Sequence, residues 1–245
     1  MDNELELIVD AIRHTSKLLL RDYFELEGLQ SSAKTAQSFS EKSLIKAKEI
    51  FKSKIEKYFQ VFFDYTQITN IAEQKKAIVV EFDGFDNLSK AMPFFSIVAT
   101  LLVNKNGNLV AEKSVIKFPA LGELYYASRG KGAWFERIIF NFSGSLRVRV
   151  SGTEKLEESV IGATKQNMFN PGSSSRQRIF GCDSYLLALA IAGKLDIAVM
   201  KLTPILQLFS ELFASEAGGV QVNSNDSIFI SNLKLSKLTT QQLNS

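Results

Sequence analysis

Apolar positions in residues 4–24 fall at Leu5, Ile8, Ile12, Leu19 and Tyr23, the three-to-four spacing of one helical face, with Asp2 or Asn3 standing where a cap is needed. The spacing predicts an amphipathic helix. A polar stretch over residues 30–38 predicts a break, and Ser40 opens a second helical run in which Leu44, Ala47, Phe51, Ile55 and Tyr58 share a face. The lysines between Lys42 and Lys57 lie mainly off that face and read as a solvated helix surface in preference to a nucleic-acid patch.

Beyond the helices the period shortens to two. Runs at residues 60–63, 77–82, 94–103, 109–117 and 123–127 predict strands. Residues 104–108, NKNGN, predict a hairpin turn, because Asn and Gly tolerate positive φ. The middle of the chain is therefore expected to be an antiparallel meander. The second half predicts strands at 146–150, 159–164 and 195–200, helices at 183–192 and about 205–217, and a strand or two near Val220 and at 228–230, with Gly218 and Gly219 ending the last helix. Helices flanking mixed sheets imply an α/β (α+β layered) fold, stacked helix, sheet, helix, sheet, helix.

Composition fits this picture and narrows it. A chain of 245 residues with 45% hydrophobic content can bury a large core as one domain, expected over residues 1–245, with subregions at about 1–140 and 141–245. The net charge is +3 with both signs interspersed, which argues against a dedicated nucleic-acid binder. The one cysteine, Cys182, forbids an intramolecular disulfide framework, and the first residues lack a signal-peptide pattern, so a cytoplasmic setting is expected. Apolar stretches such as residues 92–103 are too short and too interrupted to span a bilayer.

Four stretches in order resemble the inositol monophosphatase family. Residues 79–88, VVEFDGFDNL, are similar to the family's D-P-I-D-G-T-T-N-F strand and loop. Residues 124–135, LYYASRGKGAWF, resemble its E-x-Y-x-A-x-x-G-x-G-A-F hairpin, and the segment from Val148 to Thr153 its V-S entry to a second sheet. Residues 181–196, GCDSYLLALAIAGKLD, resemble the helix ending in A-x-G-x-x-D. Residues 204–219, PILQLFSELFASEAGG, align on the P-W-D-x-A-A helix through their terminal E-A-G-G. Taken singly, Gly130 and Gly132 serve a turn, Gly218 and Gly219 end a helix, and the alanines of 188–192 pack a helix closely, so these positions report fold and not chemistry. The resemblance implies an αβαβα sandwich and hydrolysis of small phosphate monoesters, inositol phosphate or histidinol phosphate, by magnesium ions held on carboxylates.

Carried over residue by residue, the resemblance leaves that chemistry incomplete. Asp83, Gly84 and Asn87 match the motif, whereas Val80 stands for its first aspartate, Glu81 for the proline and Phe85 for the threonine. Leu206 takes the place of the aspartate in P-W-D. The family's acidic G-E-E pair falls on Phe63, Asp64 and Tyr65, which puts Tyr65 at the ligand position. Phe39 and Ser40 replace the T-D that positions water. One metal ligand, Asp83, is kept. A carboxylate about 4 Å from a divalent cation contributes roughly 8 kcal/mol of gross attraction at an effective dielectric near 20, so the expected state is a pseudophosphatase with no cofactor. The rival expectation is a rearranged magnesium site built from Asp64, Glu81, Asp83 and Asp86, in which Glu81 and Asp83 project to one side of their strand, away from Val80, with no acid on the helix opposite.

Other candidates are weaker. Gly84, Asn87 and Asp183 are vestigial substrate-binding positions by resemblance, and Asp183 reads as a helix cap in preference to a pocket remnant. Cys182 begins a helix where a thiolate would be stabilised, yet its small size suits packing. His14 reads as a surface or packing residue. Ser173, Ser174 and Ser175 with Arg176 and Arg178 read as a surface loop or as a phosphate-binding one. The resemblance further implies a homodimer and, by analogy with bacterial extragenic suppressor proteins of the family, a protein partner in transcription or ribosome biogenesis. No membrane role and no direct nucleic-acid motif are expected.

Overall fold

Asp2 accepts a hydrogen bond from the backbone N–H of Leu5 at 3.1 Å and caps helix α1, Asn3–Leu29. The structure is a computed structural model and describes residues 2–68, 75–137, 144–166, 168–169, 176–224 and 226–243. The segment Ser173, Ser174 and Ser175 lies outside the described residues.

Helix α2, Ala33–Ile55, starts well before Ser40. The polar stretch conceals a second contact face: Ala36, Ser40 and Ser43 are buried at helical spacing, and Ser43 donates to the buried Asp22 of α1 at 2.5 Å. Small side chains let the two helices approach closely, a signal that hydrophobic periodicity does not carry. Ser40 donates to the Ala36 carbonyl at 2.6 Å inside this helix, so it does not stand ahead of the helix to position water.

Sheet 1 has the order β1-β2-β3-β4-β5-β6-β7. Strand β1, Gln60–Phe62, runs parallel to β2, Lys76–Asp83. The rest is the expected antiparallel meander, through β3 Ser96–Lys105, β4 Asn108–Phe118, β5 Glu123–Ser128, β6 Gly132–Arg137 and β7 Ser145–Arg147. Asn106 and Gly107, at φ 53° and 83°, turn β3 into β4 as a primed hairpin. Alternation sorts β2 cleanly: Ile78 and Val80 pack under α1 and α2, Ala77 and Val79 against the opposite layer.

That opposite layer is α4, Asp183–Ile191, and α5, Pro204–Glu216. Beneath it lies sheet 2, in the order β11-β12-β10-β8-β9, with β8 Val160–Ala163, β9 Arg176–Arg178, β10 Ile197–Lys201, β11 Val220–Ser224 and β12 Ser227–Ser231. Helix α6, Leu233–Leu243, covers its outer face through Leu235 and Leu238. The stacking is helix, sheet, helix, sheet, helix, as expected. Three further elements differ from the sequence reading. A short helix α3, Phe85–Ser89, replaces a loop, β9 occupies Arg176 to Arg178, and α6 forms where no element is expected, its leucines being spaced among polar residues. Among the described residues no helix is long and apolar enough to cross a membrane.

Candidate functional site

β1 pairs with β2 only as far as Val79, so residues 80–83 have an uncovered edge. There a cleft of about 310 Å³ opens. Val80, Glu81, Phe82 and Asp83 line it from β2, Leu44 and Lys48 from α2, Asp183 from α4, and Thr203, Leu206 and Phe209 from the α5 region. Because the edge is open, Val80 and Glu81 both reach the cleft although their side chains leave opposite faces of the strand. Glu81 thus faces away from Val80, as the alternation predicts, and the two still border one cleft.

Gly84 ends β2 at φ 75° and starts α3. A Cβ there would lie 2.3 Å from the Phe94 carbonyl oxygen, so both conformation and crowding require glycine. The bend aims Asp83 across the layers: its Oδ2 accepts from the backbone N–H of Ser184 at 2.7 Å and from Cys182 Sγ at 3.4 Å. The carboxylate thus sits on the N-terminal turn of α4, where an anion is favoured.

Asp183 is not the cap of that helix. Cys182 occupies the cap position, and the Asp183 carboxylate accepts from Thr164 Oγ1 at the end of β8. It lines the cleft from α4, while α5 presents Leu206 and no acid there. Three carboxylates therefore share one partly apolar recess. Burial, then the charges of Asp83 and Asp183, push Glu81 up to about 7. Burial raises Asp183 to about 6 against the Thr164 hydrogen bond, with Asp83 adding to the rise. Cys182 is buried and its thiol is pushed well up, chiefly by burial and secondarily by Asp83, which leaves it an inert packing residue.

These residues do not fit a divalent metal cluster. Among the described residues no group of three or more His, Cys, Asp or Glu side chains converges to hold an ion. Asp83 commits one oxygen to α4 and Asp183 one to Thr164, while Val80 and Leu206 supply only hydrocarbon.

The remaining candidates scatter. Asp64 caps a short 3-10 turn, Tyr65–Gln67, accepting from Thr66 N at 2.9 Å and Thr66 Oγ1 at 2.7 Å. With Tyr65, Glu81 and Thr203 it lines an adjoining recess. Asp86 is exposed in the first turn of α3 and lines neither recess. Asn87 is buried, and its amide donates to the carbonyls of Phe94 at 2.7 Å, Phe180 at 2.8 Å and Gly181 at 3.3 Å, tying α3 to the approach to α4. His14 lies on the exposed side of α1 with Nδ1 3.0 Å from the Asp10 carbonyl oxygen. Lys48, Thr164 and Thr203 belong to the site without a sequence signal of their own. Lys48 is indistinguishable in sequence from its solvated neighbours, and only tertiary structure brings the two threonines to the carboxylates.

No family model matches the chain. It is 30% identical over 162 residues to an inositol-1-monophosphatase of Mesorhizobium japonicum, a match covering 64% of this chain and 56% of the relative. The match thus spans little more than half the length of that relative. It is 26% identical over 215 residues to a histidinol-phosphatase of Chlorobaculum parvum, covering 82% and 78%. Among solved structures, the extragenic suppressor protein suhB of Bartonella henselae superposes with a TM-score of 0.76 at 22% identity over 100% of both chains. An inositol monophosphatase from Anabaena gives 0.70 at 17% identity over 98% and 94%.

Proposed function

We propose, from the premise that this chain belongs to the inositol monophosphatase family, that it is a catalytically impaired pseudophosphatase acting through an interaction or regulatory role. The observation that carries the proposal is the chemistry of the cleft: Val80 and Leu206 line it with hydrocarbon, and one oxygen each of Asp83 and Asp183 is engaged by a protein donor. Water activation at a phosphate monoester needs converging negative oxygens to hold cations. A cleft with too few of them leaves one of the slowest uncatalysed reactions with little assistance. The proposal includes a cytoplasmic homodimer with no resident cofactor and a protein partner.

The test is phosphate release from inositol monophosphate and from histidinol phosphate at saturating magnesium. Release no faster than from the Asp83→Asn variant supports the proposal. Turnover that Asp83→Asn abolishes would overturn it.

A second reading, an active magnesium-dependent phosphatase of those same monoesters, is favoured by one observation. Glu81, Asp83 and Asp183 line a single recess, and Asp64 shares the adjoining one with Glu81. It would use the Asp83 oxygen that does not face Ser184, and the same assay with Glu81→Gln as an added variant separates the two readings.

A further inference from the structure

One row of cross-strand neighbours runs over the helix-covered face of sheet 1. Phe82 pairs with Ile97, Ile97 with Lys117, Lys117 with Leu124, and Leu124 with Glu136. Side chains of paired residues share a face, and Ile97 and Leu124 belong to the core under α1 and α2. A lysine therefore stands in an apolar row, half-buried itself and flanked by two buried residues.

A lysine so placed normally has an acid beside it. Among the described residues no hydrogen bond or ion pair reaches Lys117 Nζ. The carboxylate of its row, Glu136, lies one strand beyond Leu124 and is already held by Arg13 of α1 at 2.8 Å and by Ser145 Oγ at 2.9 Å. Arg13 thereby brings a second cation near the amine. Burial, then the charge of Arg13, bring the Lys117 ammonium down to about 8, against the pull of Glu136. Desolvation together with a neighbouring cation is what makes a lysine nucleophilic near neutral pH. Lys117 does not line the β2 cleft, and its nitrogen is not sealed from solvent.

We propose that Lys117 is a modification site, acylated at Nζ by small acyl phosphates. The Nζ lone pair adds to the carbonyl carbon, the bond from that carbon to the phosphate oxygen breaks, and phosphate departs with the electron pair and the amine proton. The product is a neutral amide, which suits a position between Ile97 and Leu124 better than an ammonium does. Negative charge builds up on the leaving group, and the Arg13 cation favours it there. The site is independent of whether the β2 cleft hydrolyses anything.

The test treats the full chain with acetyl phosphate in magnesium-free buffer, so that the cleft leaves the donor intact, and follows acetyl occupancy at each lysine by peptide mass spectrometry. Lys117 is expected to react about tenfold faster than the median lysine. That lead is expected to vanish in denaturing urea, where neither burial nor Arg13 acts on the amine. Arg13→Met, which removes the cation and frees Glu136, is expected to slow Lys117 by at least about threefold and to leave the median lysine at its parent rate. Lys117 reacting no faster than the median lysine, a lead that persists in urea, or an unchanged Lys117 rate in Arg13→Met would each overturn the proposal. The urea comparison uses only the parent chain, so it decides the matter if Arg13→Met does not fold.

Discussion

The carboxylate of Asp83 accepts the backbone N–H of Ser184, 101 positions further along the chain, at 2.7 Å. One hydrogen bond therefore joins the end of β2 to the first turn of α4. Removing a charged acceptor from a partly buried donor leaves that donor unsatisfied, at a cost of about 1–3 kcal/mol. Asp83→Ala is expected to lose about 2–3 kcal/mol in urea unfolding and Asp83→Asn less, since an amide oxygen still accepts. An unchanged urea midpoint for Asp83→Ala would show that the contact contributes nothing.

Glu81 makes stability depend on pH. Its folded value of about 7 lies above the 4.5 of a free glutamate. Below the lower value both folded and unfolded chains hold the proton; between the two, only the folded chain does. Stability associated with this group is therefore complete below about pH 4.5, declines as pH rises, and is lost above about pH 7, by up to about 3 kcal/mol, reduced where water reaches the group. Asp183, raised to about 6, acts in the same direction. Glu81→Gln is expected to unfold at higher urea than the parent at pH 8 and to show a flatter profile from pH 5 to 8; parallel profiles would remove Glu81 as the cause.

Asn87 donates to three backbone carbonyls, those of Phe94, Phe180 and Gly181. An alanine there leaves buried acceptors from separate segments without a donor, so Asn87→Ala should cost about 2–3 kcal/mol. Asn87→Asp should cost at least as much, because a carboxylate cannot donate. A thermal midpoint equal to the parent's in Asn87→Ala would mean that the segments are held by other contacts.

Magnesium should leave the fold's stability unchanged. A site with a dissociation constant of about 0.1 mM would stabilise the chain by about 2.7 kcal/mol at about 10 mM MgCl2, raising the midpoint by roughly 5–10 °C. The expected change is within about 1 °C of that from an ionic-strength control. A rise of several degrees that Asp83→Asn abolishes would identify a bound ion and favour the active-enzyme reading.

The meander is legible in the sequence because its strands alternate and its NKNGN turn has specific φ demands met by Asn106 and Gly107. Hydrophobicity alone starts helix α2 too late, because its contacts with α1 are made by Ala36, Ser40 and Ser43, which such a pattern reads as loop. Helix α3 is hidden by its length, five residues after a left-handed glycine. Motif matching places Asp83, Val80 and Asp183 in the candidate site but cannot show that Asp183 turns to Thr164 beside Glu81, which depends on α4 packing against sheet 1. The open edge of β2, which lets Glu81 and Val80 meet one recess, follows from the shortness of β1 and is a fact of pairing that local sequence does not encode.

Helices α4 and α5 cover the inner face of sheet 1 although they follow it in the chain. During synthesis, Ala77, Val79, Val98, Ile116 and Tyr125 must wait for residues 183–216 before that face is sealed. A ribosome-bound nascent chain carrying only the meander presents a wide, sticky β-surface, the kind of intermediate that chaperones shield. Truncations ending before Asp183 are accordingly destined for inclusion bodies, whatever the fate of the cleft.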